Sequence, residues 1–412
     1  MNKTTALRNT CQLTTPSPIV NEAFRIAKDH VARCMRWYSL GWGMSNSPHS
    51  CTIVVGRDTG WMTIGADYVA PWFAPEALKV FRDRQQANGK ILEYVDMESG
   101  ESTDYGLNVS DNTPYYLWAL CHHWQVHSDE RFLDAFSHSA ILAADFLISC
   151  VHENGLIRSV PAGTAVSGIT GWRNIIDGYV LAGEVTELNS LSAMALRMAG
   201  EVLNDARYVR AGNAIAEAIN ERLWVGDRYL LTRFNGAEDS QLTGDAVFPI
   251  LCGIAPPDRA RLVLDRLWAP DFWNESGMRT LPSSDAKYEP RKNFGALGGV
   301  WPNLTLWYAA AAAPYYPDRA LKAIELVAKT VAESLDEFPE YFDGDTGVPL
   351  GMALSPWVAP TFIWAVLEGL LGLRWRDGQI SFSPNWPALW DTCTLTNLPT
   401  ARQSLSQVIS RS

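Results

Sequence analysis

The chain has 412 residues, 47% hydrophobic and 19% charged, which excludes a disordered, collagen-like or small disulfide-stapled protein. A formal net charge of -11 with no long Lys/Arg run argues against a nucleic-acid groove or an anionic membrane surface as partner. Seven dispersed cysteines without a CxxC pair read as reduced thiols, and no stretch of 18 or more apolar residues stands out, so a cytoplasmic protein without a membrane span is expected. Seventeen Trp and 14 Tyr exceed what packing needs and suit the stacking of flat or amphipathic ligands.

In chain order, apolar residues recur at three and four near 20–36, 60–70, 75–88, 113–126, 129–150, 187–201, 206–223, 243–252, 257–267, 303–313, 317–335 and 358–371, which predicts about a dozen helices. In 317–335, Leu321, Ile324, Ala328, Val331 and Leu335 form one stripe, with Asp318 as N-cap. Strand signals are scarce before residue 375 and present after it, in DGQISFSPNWP and CTLTNLP. Long links follow the odd helices, near 37–59, 89–112, 151–186, 224–242, 268–302 and 336–357, whereas the links after even helices are short. Helices that run up and down in turn then send every long loop to one face. This alternation predicts an all-α fold, an (α/α)6 barrel, with a short β segment at the C-terminus. The expected division is an N-terminal extension 1–19, a barrel 20–374 and a β-rich tail 375–412. A helical solenoid is the competing architecture, but no fixed-period motif supports it.

The long loops hold the residues that can do chemistry. The first carries Arg57 and Asp58 beside Trp61 in VVGRDTGW, and the second ends with Asp111 before Tyr115, Tyr116 and Trp118. The third gathers Trp172, Arg173, Asn174, Asp177, Glu184 and Glu187, where an indole beside a carboxyl strips solvent and suits the acid to donate a proton near neutrality. The fifth closes on GGVWP with Trp301, and the sixth sets Glu340 between Pro339 and Tyr341, well placed as a general base for water. Capping or salt-bridge roles compete for Asp58, Asp111 and Glu187. His122, His123 and His127 on one helix read as helix surface without an HExxH pattern, DGDTG lacks the later ligands of a calcium loop, and no nucleotide-binding glycine motif occurs. No metal and no cofactor is expected.

GRDT (56–59), GKILEYVD (89–96), NVSDNTPYYLWAL (108–120), GWRN (171–174), EVTELNSLSAMAL (184–196), GGVWP (298–302) and PEYFDGDTG (339–347) follow in the order seen in the six-hairpin glycosidases. Over residues 50–390 the chain resembles the amylo-α-1,6-glucosidase, trehalase and glucoamylase group. The resemblance implies that Arg57 and Asp58 grip sugar hydroxyls with Asp111 nearby, and that Glu340 is the general base. It places the general acid one or two residues beyond Trp172, where this chain has Arg173 and Asn174. An amide cannot supply the proton, so Asp177, about one helical turn on, is the favoured acid, with Glu184, Glu187 or an altered activity as the other readings. The expected sugar-contacting set is Arg57, Asp58, Trp61, Asp111, Trp172, Arg173, Asn174, Glu187, Trp301 and Tyr341, with Asp177 and Glu340 catalytic.

The implied activity is an inverting, exo-acting glycosidase for a small α-glucoside or related saccharide, its acid and base about 6.5–9.5 Å apart to admit a water. The rival readings are a sugar epimerase or lyase on the same barrel and a non-catalytic saccharide-binding protein. No His falls in 155–190 or 270–360 to serve an epimerase, and Asn174 is what lends the binding protein its weight. The sequence carries no mark of oligomeric state.

Overall fold

The computed structural model describes residues 7–104, 106–160, 170–173, 181–376, 379–400 and 404–411. Helices alternate between two layers. The outer ones, α1 (Pro18–Cys34), α3 (Phe73–Arg82), α5 (Glu130–Ser149), α7 (Ala206–Arg222), α9 (Pro257–Leu267) and α11 (Pro317–Glu333), bury one stripe each. The inner ones are α2 (Gly56–Ala66), α4 (Asn112–His127), α6 (Thr186–Val202), α8 (Phe248–Leu251), α10 (Pro302–Ala312) and α12 (Val358–Trp364). Nearly every residue of α4 and α10 is buried, as an apolar-all-round sequence requires of a helix packed on all sides. A 3-10 turn, Gly244–Val247, leads into α8, and a π-helical turn, Ala365–Leu370, continues α12.

The inner segments close a ring. α2 packs on α4, α4 on α6, α6 on α8, α8 on α10, α10 on α12, and α12 back on α2. Ser128 in the left-handed conformation and the Asp129 carboxylate, which accepts the Arg131 amide at 3.0 Å, turn α4 sharply into α5. Asp205 caps α7 in the same way, while proline in the first turn starts α1, α9, α10 and α11.

Several expectations need correction. The chain is not all-α, because seven small sheets occur among the described residues, most of them hairpins of two- to four-residue strands. β1 (Gln12–Thr14) pairs with β15 (Thr392–Pro399), so the N-terminal segment shares a sheet with the tail. α2 begins at Gly56, four residues earlier than its periodicity suggests, because the Asn112 side chain accepts the Arg57 amide at 2.9 Å. α11 ends at Glu333, leaving Leu335 92% exposed, and Asp318 accepts the Ala388 amide instead of capping. His122, His123 and His127 are buried, not on a helix surface.

Candidate active site

The N-terminal ends of α2, α10 and α12, with loop residues such as Trp172 and Glu340, frame a cavity of about 200 Å³. The sheet of β4 (Ile53–Val55), β5 (Tyr94–Asp96) and β6 (Ser102–Thr103) aligns Val55 with Tyr94, and the Gly56 amide donates to the Glu93 carbonyl at 2.9 Å. That pairing delivers Arg57 and Asp58 into the first turn of α2 beside Glu93. Arg57 Nε donates to both oxygens of Asp111 at 3.0 and 2.9 Å, and Nη1 to Glu93 at 2.6 Å, all three side chains being buried. Burial raises Asp111 and Glu93 against the pull of the guanidinium, whose own pKa lies above its usual value.

Asp58 and Glu340 are half-buried, and both line this cavity. Burial lifts Asp58 to about 7, opposed by Arg57 and assisted by the charge of Glu340. Burial likewise lifts Glu340 to about 7, against a hydrogen bond from the Met352 amide. Bridges from Val300 to Arg279 and Phe342 stitch the fifth and sixth long loops together, which brings Trp301 next to the Glu340 turn. Trp172, Trp301 and Trp357 wall the cavity, with Trp301 edge-on to both neighbours at 5.5 and 5.8 Å. Asn293 and Phe294 hold consecutive left-handed conformations, φ 50° and 55°, a strained turn that leaves the Phe294 ring 60% exposed on the lining.

The structure therefore brings Arg57, Asp58, Trp172, Arg173, Trp301 and Glu340 to one cavity. Four expected contacts lie elsewhere. Trp61 is in the core, stacked on Trp307 at 5.2 Å. Asp111 stands behind Arg57. Glu187, raised far above the usual carboxylate range by burial, accepts the Trp172 amide at 3.2 Å from behind the wall. Tyr341 stacks on Trp301 at 5.2 Å and supports it. Asp177 and Asn174 lie outside the described residues.

Sequence reasoning missed Asp245, whose Oδ1 accepts the Trp172 indole N–H at 2.7 Å while Oδ2 accepts Arg173 Nε at 2.9 Å. Glu93 was within a quoted motif but not singled out, and Trp357 sits at the mouth of α12 as Trp301 sits at that of α10. Away from the cavity, donor atoms of Asp67, His123 and His127 lie within 4.8 Å of one another. The Asp67 carboxylate accepts from His122 at 2.7 Å and from His123 at 2.6 Å, and its carbonyl pairs with His127 at 3.1 Å.

Two accessible carboxyls poised near neutrality, a fixed guanidinium and three indole walls supply what hydrolysis of a glycosidic bond demands. Residues 185–365, a little under half of the chain, match the model of the mannosylglycerate hydrolase MGH1-like glycoside hydrolase domain. A mannosylglycerate hydrolase of Rubrobacter radiotolerans is 32% identical over 164 residues, which take in 37% of this chain and 36% of that protein. Among solved structures, a GH63 mannosylglycerate hydrolase from Thermus thermophilus, in complex with glucose, superposes with a TM-score of 0.66 at 14% identity, covering 84% of this chain and all of that one. A GH78 rhamnosidase of Bacillus sp. GL1 gives 0.70 at 15% identity, over 96% of this chain and 39% of that one. These two likenesses concern the fold, a helix-rich ring.

Proposed function

We propose that the protein is an inverting, exo-acting glycoside hydrolase for a small α-glucoside or α-mannoside, with Glu340 as general base and Asp177 as general acid. The observation that carries this reading is the meeting of Asp58 and Glu340 at one tryptophan-walled cavity. Glu340, lifted to about 7, takes a proton from water near neutral pH, and Asp58 with Arg57 holds the hydroxyls of the innermost ring. A cavity of about 200 Å³ falls below the roughly 300–1,000 Å³ of drug-sized ligand pockets, which suits one sugar ring with a small leaving group. Arg57 faces Asp111 and Glu93, and Arg173 faces Asp245, so the cationic groups are already compensated and the glycone is neutral. The mannosylglycerate hydrolase relatives suggest glycerate as one leaving group to try.

Asp58 supports a second assignment of the acid. It is a described carboxyl, held near 7, that senses the Glu340 charge directly. Leaving-group chemistry separates the two, because a good leaving group needs no proton. Sugar release is measured on α-glucosyl and α-mannosyl glycerates and on the matching dinitrophenyl glycosides, with the anomer of the product read by NMR. Glu340→Gln is expected to lose about 10²–10⁴-fold in kcat on both substrate types, and Asp177→Asn only on the glycerates. If Asp58→Asn shows the selective loss instead, Asp58 is the acid. A parent protein that binds these glycosides without releasing sugar overturns the hydrolase.

A further inference from the structure

A second cavity, about 380 Å³, opens at the other end of the ring. The residues around it come from the middle and later turns of the inner helices and from the segments that follow them, His122 lying ten residues past the start of α4 and hence about 15 Å from the catalytic end. Hydrolysis uses none of them. Its walls include Trp118, Trp364, Trp375 and Tyr315.

The backbone is irregular at this spot. The α-helix of α12 widens into the π-helical turn Ala365–Leu370, a geometry that is rare and concentrates at functional sites. That turn carries Glu368 onto the cavity lining. Glu368 Oε1 accepts the Tyr68 hydroxyl at 2.6 Å and His122 Nε2 at 2.7 Å, while Oε2 makes no hydrogen bond with the described residues. The Trp364 indole N–H, on a side chain only 6% exposed with its ring on the wall, likewise has no acceptor among the described residues. The Trp375 indole N–H, on the same lining, also lacks an acceptor among the described residues, so one spare acceptor and two spare donors stand among aromatic faces.

Charge decides the class of ligand. Glu368 faces His122, and His122 faces Asp67 on its other nitrogen. Arg374 donates to the carbonyls of Glu368 and Leu373 at the rim. The Asp67, His122 and Glu368 charges are matched among themselves and Arg374 is tied to carbonyls at the rim, so a charged guest gains little inside, whereas a hydroxylated ring stacks on indole and exchanges hydrogen bonds with Glu368 and the indole N–H groups. We propose that this rear cavity is a second binding site, for a neutral monosaccharide or short saccharide, separate from the catalytic one. Ring contacts connect it inward, from Trp364 to Trp61 at 5.2 Å and on to Trp307 at 5.2 Å, so occupancy changes tryptophan fluorescence.

The test titrates the full chain with glucose, mannose and maltose to about 100 mM, following intrinsic fluorescence and stoichiometry, in the parent, Trp375→Ala and Gln125→Ala. Expected are two saturable sites in the parent, with one weakened at least 10-fold in both variants while kcat/KM for hydrolysis stays within about twofold. The rear site persists in Glu340→Gln whether or not the protein hydrolyses glycosides, which keeps this outcome apart from the catalytic proposal. Gln125→Ala, at the cavity edge, serves if Trp375→Ala unfolds. A single site in the parent for every sugar, or two sites unchanged in the folded variants, overturns the proposal.

Discussion

Asp58 and Glu340 raise one cost of the site at the scale of single residues. Asp58 moves from its ordinary 3.8 to about 7, and Glu340 from 4.5 to about 7. Between those values the folded chain binds more protons than the unfolded one, so stability falls as pH rises through this window. Asp58→Asn removes one of the two burdens. It is expected to be more stable than the parent by about 1–2 kcal/mol above pH 7, after discounting for partial exposure, and to show no gain below the ordinary carboxylate range. Urea unfolding at a series of pH values checks it, and a gain that does not grow with pH contradicts the assignment. The same scale shows what a sequence discloses. Arg57, Asp58, Trp301 and Glu340 stood out because each is embedded in its own local string of glycine, proline or aromatics. Asp245 did not, because its partner Arg173 is 72 positions away and its own stretch, 243–252, reads simply as one more helix. Trp61 and Tyr341 were assigned to sugar by adjacency, yet Trp61 lies one turn deeper along α2, packed against Trp307 and Trp364, and Tyr341 turns its ring onto Trp301.

Closure of the ring is a matter of elements, and it depends on how near α2 and α12 can come. A Cβ at Gly65 would lie 2.0 Å from the Pro360 carbonyl oxygen, so the two backbones touch where any side chain would separate them. Gly65→Ala is therefore expected to cost about 2–4 kcal/mol, with a lower thermal midpoint and reduced kcat/KM because Arg57 and Asp58 ride on α2. Gly226→Ala is the contrast. Nothing lies within 4 Å of its Cβ position, and only the strain of φ +68° remains, worth about 1 kcal/mol. Equal losses in thermal denaturation of the two variants would contradict the close-contact account. Helix periodicity was legible because burial imposes it on residue after residue. The π-helical turn was not, since one widened turn leaves the apolar pattern of 358–371 nearly unchanged. The short strands were equally hidden: hairpins with two to four residues in each strand are too brief to show an alternation.

For the molecule as a whole, the alternation of long and short links announced that the long loops share one end, and the cavity of Arg57, Trp172, Trp301 and Glu340 lies there. What link lengths could not announce is how the opposite end is held. There His122 joins three inner elements, donating to Asp67 after α2 and to Glu368 in the π-helical turn from its own place on α4. Burial works to lower its pKa, but Glu368 and Asp67 outweigh burial and carry it from 6.5 to about 9. Burial lowers His127 to about 4 against the pull of Asp67, and it stays neutral, so His122 carries the switchable charge of the pair. A raised folded pKa stabilises fully below 6.5 and loses that contribution as pH climbs through about 9. The parent should accordingly lose about 1–3 kcal/mol over this interval, a window above that of Asp58 and Glu340. His122→Gln keeps one hydrogen bond to this network without the charge, and its stability should be lower at pH 6 yet nearly flat across the same range. An unaltered alkaline slope in His122→Gln would mean that the rear of the ring is held by packing alone.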